Sequence, residues 1–384
     1  MNWAFDATTL LWALPLTFAL GWLASRLDVR QWRRSEQRAP KAYFRGLNFL
    51  LNEQQDQAID AFIEAVQHDP ETSELHFALG NLFRRRGDYD RAVRVHEHLL
   101  ARSDLSQADR HRAQHGLAMD FLKAGLLDRA ESALRKLDGT QYATEAKLAL
   151  LSIFERSRDW AQAIDIAKQL EGAERGSFKG RSAHYHCELA AESLQLSQPE
   201  QAKQQLLTAQ AIAPHTPRPV IGLANLNAAA GEHSKALELL LSLASTAPHV
   251  LPLIANQLVQ LGVSCHEQAR VLSVLRQADS LSPSIDVTQA MASLEPAQKS
   301  ELFESHLARQ ASLSAVAQVL AHDSNQAQAT QAVTEGMKKA IDKAASPLTR
   351  YRCAACGFEA KTYFWQCPGC QGWETFPARR VEEL

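Results

Sequence analysis

The residues in this chain whose types and spacing could do chemistry are four cysteines near its end. Cys353, Cys356, Cys367 and Cys370 lie within 18 residues as C-x2-C-x10-C-x2-C. Each C-x2-C turn brings two thiolates to one corner of a tetrahedron, and two such turns supply all four ligands of one ion. A full set of protein ligands leaves no open position for water or substrate, so the ion is structural rather than a Lewis acid. Zinc and iron both suit four thiolates, and the expected cofactor is therefore one structural Zn or Fe ion. Gly357 and Pro368-Gly369 let the backbone turn tightly and point N–H groups at sulfur. A segment of roughly 30 residues buries too little core to fold alone, so the metal supplies most of its folding energy. Phe364, Trp365 and Trp373 are expected to pack over the cluster and keep faces free for a partner.

Other polar clusters do not assemble a catalytic set. His96 and His98 in HEHLL are two residues apart and do not share a helix face. His184 and His186 in HYHC fall on a repeat helix and read as packing and surface. His111 and His115 share a face but have no third ligand, and GSFKGRS (176–182) is too short for a phosphate loop. The two other cysteines, Cys187 and Cys265, stand alone. That usage points to metal binding in a reducing compartment rather than a disulfide scaffold.

The elements that position the cysteines are helical. The chain has 384 residues, enough for two or three domains. With 41 basic and 43 acidic residues its net charge is −2, so no global field draws it to nucleic acid. Ala, Leu and Gln abound, and strand signals are scarce before the last thirty or so residues. A repeat of about 34 residues is visible from Gly46 onward. Its marker alanines are Ala58, Ala92, Ala130, Ala163, Ala202 and Ala236, spaced by 34, 38, 33, 39 and 34 residues. The pattern is that of tetratricopeptide helix pairs: small residues let two antiparallel helices approach, large apolar ones fill the space between pairs, and proline ends the second helix.

The expected fold is an all-α tetratricopeptide superhelical solenoid with an N-terminal transmembrane helix and a small C-terminal rubredoxin-like zinc ribbon. The segments are an anchor over 1–25, a basic juxtamembrane stretch over 26–38, repeats over 39–249, degenerate helical repeats over 250–346 and the metal domain over 350–384. The first helices of the pairs should line a concave peptide groove that presents Phe77, Asn81, Arg84, His115, Met119, Ser152 and Asn225.

Ala7 to Ser25 is a run of 19 residues without a charge. As a helix it spans roughly 28 Å, close to the hydrocarbon thickness of a bilayer. Trp3 and Trp22 sit near its ends, and Arg26, Arg30, Arg33, Arg34, Arg38, Lys41 and Arg45 follow. The cationic flank stays on the cytoplasmic side, which leaves the N-terminus outside and the body inside. It should also lie on anionic headgroups. A cleaved signal peptide fits less well, because no basic residue precedes the run.

The order of anchor, basic flank, helical repeats and a CAACG…CPGC tail followed by tryptophan resembles the lipopolysaccharide assembly protein B family, over essentially the whole chain. The resemblance implies a non-enzymatic adaptor at the bacterial inner membrane, single-pass, with the body in the cytoplasm. It further implies that lipopolysaccharide synthesis is regulated by bringing the lipid A pathway deacetylase to the membrane protease FtsH. A lipopolysaccharide-sensing membrane protein would restrain that activity. The four cysteines match the family's metal ligands. Two readings of other classes stand beside this one: a redox carrier with iron in the site, and a nucleic-acid-binding zinc-ribbon protein. Few cations in the tail (Arg352, Lys361, Arg379, Arg380) weigh against the second, and no nucleic acid is expected as a partner. The oligomeric state stays open, a homodimer included.

Overall fold

The computed structural model describes residues 15–22, 38–69, 71–171, 176–323 and 331–384. Residues 15–22 are helical, and Trp22 there is exposed. Most of the expected anchor, with Arg26, Arg30, Arg33 and Arg34, lies outside the described residues. Among the described residues no single helix is long and apolar enough to cross a membrane.

The body is a succession of antiparallel helix pairs: α1 (Arg38–Leu51) with α2 (Gln55–His68), α3 (Ser73–Arg86) with α4 (Tyr89–Ala101), and α5 (Gln107–Lys123) with α6 (Leu127–Arg135). Then follow α7 (Ala143–Ser157), α8 (Trp160–Leu170), α9 (Lys179–Gln195), α10 (Pro199–Ile212), α11 (Pro217–Ala229), α12 (His233–Thr246), α13 (Leu251–Ser264) and α14 (Gln268–Leu281). Four more helices complete the run: α15 (Ile285–Leu294), α16 (Lys299–Arg309), α17 (Leu313–Asp323) and α18 (Gln331–Ala345). The chain divides into two compact units, Met1–Asp159 and Trp160–Leu384.

The same turn recurs through the array. Glu53, Gly87, Gly125, Arg158, Ser197, Gly231 and His266 all have positive φ, between 58° and 89°. Each lies two residues before the next helix begins. In every case the following N–H returns to a carbonyl five residues back, as Asp88 N does to Phe83 O at 2.9 Å and Glu267 N to Gly262 O at 2.8 Å. This is the left-handed helix stop that glycine fits best.

Five residues beyond each of these turns stands a residue sealed from solvent. Ala58, Ala92, Ala130, Ala163, Ala202 and Ala236 are all 0 % exposed, and so is Val271. The array therefore contains a seventh pair, α13/α14, with valine where the others carry alanine. Its extra methyl groups are accommodated by Gly262: a Cβ there would meet Val271 Cγ2 at 2.7 Å. One small residue has been exchanged for another on the facing helix, and close packing is kept.

Within the N-terminal unit the third and fifth helices meet around a buried imidazole. His96 is 1 % exposed, and a Cβ on Gly80 or Gly116 would come within 2.7 and 2.6 Å of its ring. Its Nδ1 lies 2.5 Å from Asp120 Oδ2, and Asp120 Oδ1 accepts from Arg84 Nη1 at 2.8 Å.

Candidate metal centre

The last residues form two hairpin knuckles built alike. Tyr351–Arg352 pairs antiparallel with Glu359–Ala360, and Gln366 bridges to Trp373. Cys353 N donates to Phe358 O at 2.9 Å, and its counterpart Cys367 N donates to Gly372 O at 2.8 Å. After each C-x2-C the chain turns left-handed, at Gly357 (φ 77°) and at Gln371 (φ 61°). Gly357 N returns to Cys353 O and Gln371 N to Cys367 O.

These turns bring the four sulfurs within 4.8 Å of one another. Cys353 Sγ is 3.8 Å from Cys370 Sγ, and Cys356 Sγ is 3.7 Å from Cys367 Sγ. A tetrahedron with metal–sulfur bonds near 2.3 Å has edges of about 3.8 Å, so the donor set fits one tetrahedral ion. Burial works to raise the Cys353 thiol, yet the Thr375 hydroxyl and the backbone N–H groups of Cys356 and Ala355 bring it down to about 6. Those donors stabilise the thiolate that a metal requires. Cys353 and Cys367 are buried, whereas Cys356 and Cys370 are exposed.

The expected aromatic cover over the cluster is not what forms. Trp365 and Trp373 turn toward the helices of the C-terminal unit. Trp373 stacks on His184 (centroids 4.8 Å apart, 18°) and meets the edges of Tyr185 (5.8 Å) and Trp160 (6.2 Å). The Arg218 guanidinium lies 5.9 Å from both indoles. His184 Nε2 is 3.0 Å from Glu374 Oε1, and this hydrogen bond, against the opposing effect of burial, holds the carboxyl below its usual range. Phe364 stays at the surface, 36 % exposed. The helices offer these indoles a buried aromatic patch.

A second set of contacts comes from the final residues. Arg380 donates from Nε and Nη2 to both oxygens of Asp286, at 2.9 and 3.1 Å, and its guanidinium lies 4.2 Å over the Tyr351 ring. Glu383 accepts from Ile285 N at 2.5 Å, and Glu382 accepts from Ser314 N at 3.3 Å. The two glutamates thus cap the N-termini of α15 and α17, where free N–H groups and the helix dipole favour a carboxylate. Burial pushes the Glu383 carboxyl upward despite these donors. Leu253 of α13 packs against the ribbon core of Tyr351, Cys353, Cys367 and Phe376.

His184, Asp286, Arg380, Glu382 and Glu383 make docking contacts that sequence reading misses. HYHC reads as packing and surface, and Arg380 only as one of the few cations of the tail. The signal available was the VEEL terminus itself, two carboxylates directly behind two arginines.

The residues expected on a peptide groove have unlike surroundings. Phe77 is buried among Leu99, Leu105 and Ala113 beneath the Arg112 guanidinium, 4.1 Å from its ring, and is corrected to a core residue. Its aromatic bulk fills the gap between helix pairs. Arg84 is half-buried and engaged with Asp120, Gly116 O and Asn81. His115 stacks on Tyr142 at 4.7 Å, and Met119 beside it is half-buried. Asn81, Ser152 and Asn225 are exposed, and Asn225 accepts from Gln257 at 2.6 Å.

Comparison with known proteins agrees with this architecture. Residues 351–377 match the family model described as rubredoxin metal binding domain, and residues 75–110 match that of the tetratricopeptide repeat. The lipopolysaccharide assembly protein B of Escherichia coli (strain K12) is 30 % identical over 97 % of this chain and 98 % of its own length. That of Haemophilus influenzae is 26 % identical over 94 % of this chain and 96 % of its own. Among solved structures, a tetratricopeptide repeat protein from Parabacteroides merdae covers 67 % of this chain and 99 % of its own at 14 % identity and a TM-score of 0.34. A mostly helical tetratricopeptide array ending in a four-cysteine ribbon, 30 % identical to the Escherichia coli protein over 97 % of its length, this chain belongs to the lipopolysaccharide assembly protein B family.

Proposed function

We propose that this chain is a non-enzymatic, membrane-anchored adaptor of lipopolysaccharide assembly. It presents the lipid A pathway deacetylase to the membrane protease FtsH for degradation. The full-length relation to proteins named for lipopolysaccharide assembly carries the reading. The docking of the ribbon supports the adaptor part. Arg380, Glu382 and Glu383 tie the end of the chain to α15 and α17, which makes a metal-held surface continuous with repeat helices. Rigid surfaces of this kind suit protein recognition, since little ordering entropy opposes binding.

In this reading Ala7–Ser25 is the span, Trp22 and the arginines after it face the cytoplasmic headgroups, and a lipopolysaccharide-sensing membrane protein restrains the adaptor. The test is the half-life of the deacetylase after protein synthesis is stopped. It should lengthen on depletion of this chain, and wild type should restore it while Cys353→Ser should not. An unchanged half-life sinks the deacetylase assignment.

A further inference from the structure

Between the ribbon and the helices that carry it lies a cleft of about 820 Å³. Tyr363, Trp365 and Phe376 form one wall, and His215, Pro217 and His249 form the other. Glu374 is the only carboxylate among the described residues that line it, and no lysine or arginine lines it. Tyr363 stands nearly perpendicular to Trp365 (5.0 Å, 80°) and to Phe376 (6.3 Å, 69°). Rings set at right angles beside a half-exposed carboxylate offer π faces and a full negative charge to a cation. The Trp365 indole already attracts one, since Arg218 lies 5.9 Å from it while paired with Glu188 at 2.6 Å.

His249, Pro377 and Ala378 are shared with an adjoining pocket of about 380 Å³. Its other walls are mainly apolar, with Leu251, Ala278, Leu281 and Val287 beside Ser282, Ser284 and Arg379, whose guanidinium donates to the Ser282 hydroxyl. Leu281 is 76 % exposed at its edge. Two joined compartments of unlike chemistry suit successive side chains of one extended chain rather than one compact metabolite.

We propose that this two-part cleft binds an extended segment of a partner protein, with a lysine or arginine against Glu374 and the aromatic rings and an apolar side chain in the neighbouring pocket. That the occupant is a protein rests on the adaptor reading; the cleft's preference for a cation beside an apolar group follows from its walls.

The probe is a fluorescein-labelled positional-scanning hexapeptide library, offered to the purified, metal-loaded full chain in detergent. The best peptide is then titrated by anisotropy. Wild type should select Lys or Arg at one position and Leu, Ile, Val or Met at another. Glu374→Gln, which keeps an acceptor for His184, should erase the basic preference and weaken the best peptide by about tenfold, in line with a desolvated cation contact. Leu281→Asp should erase the apolar preference with metal content unchanged, because this side chain is already in solvent. No retained peptides, acidic preferences, or selectivity that survives both substitutions would overturn the proposal. So would basic peptides that dissociate a dimer of the full chain, since the occupant would then be a second copy. Selectivity retained while deacetylase turnover is unaffected counts against the adaptor reading and not against the cleft.

Discussion

In the N-terminal unit His96 faces Asp120, and in the C-terminal unit His184 faces Glu374. The first pair is closed on every side: the side chains are 1 % and 0 % exposed, two glycines frame the ring, and Arg84 completes the charge balance. In the second pair the histidine is equally buried, but Glu374 is 48 % exposed and arrives from a separately built module. One histidine–carboxylate pair is part of the stack's interior. The other is a latch at the edge of a docked domain. Accessibility of one partner, rather than the chemistry of the pair, separates packing from docking.

The largest expected effect breaks the latch and spares the interior. Cys353→Ser removes a buried ligand, and with it metal-binding free energy that reaches about 10 kcal/mol or more in small zinc domains. The ribbon should unfold, bound metal should fall to near zero, and Trp160, Tyr185 and His184 should become exposed. Hydrogen exchange with metal analysis tests this. Protection should be lost in the C-terminal unit and kept around His96; equal loss in both would show that the two seams are not independent.

Asp120→Ala makes the converse break. Arg84 and His96 would lose the carboxylate that both face, a change that costs about 3–5 kcal/mol when one member of a buried pair is removed. Denaturant unfolding of the N-terminal unit should move to lower concentration while metal content stays the same. A loss below about 1 kcal/mol would place the pair with surface ion pairs instead.

Trp373→Ala should cost less, about 2 kcal/mol, because this indole is only partly buried although it touches His184, Tyr185 and Trp160. The ribbon should still hold its metal and yet dock loosely. That result would separate metal binding from latching, which Cys353→Ser cannot do.

These experiments fall on residues of unequal legibility. The cysteines could be read directly, because a tetrahedral site needs two short chelate loops and nothing else in the chain resembles one. Six repeats were legible through alanines that the packing forces to be small. The seventh was legible only as a degenerate helical repeat, because its small residue moved from the marker position, Val271, to Gly262 on the facing helix. The latch was not legible at all. His184 and Glu374 are 190 residues apart, and neither periodicity nor spacing connects them. Nor could the fate of Phe77 be read, since a helix position can face a groove or the neighbouring pair and only the register of both helices decides. Local chemistry is written locally; docking depends on long-range geometry.

The smallest expected effect sharpens the comparison through pH. Burial lowers the His115 titration, with Arg84 and His96 adding repulsion and Glu145 opposing them; burial lowers His76 as well. Both therefore stay neutral in the folded N-terminal unit to lower pH than in the unfolded chain, whose value is 6.5. Their contribution is present above that value and fades as pH falls through the lowered folded values. Acidification from about pH 7.5 to about pH 5.5 should thus weaken the N-terminal unit, and His115→Gln should reduce that slope. His306 in the C-terminal unit shifts the same way, so the informative quantity is the difference between variant and wild type at each pH. Urea midpoints supply it. A slope unchanged by His115→Gln would mean that the Tyr142 stack leaves this ring as free to ionise in the folded unit as in the unfolded chain.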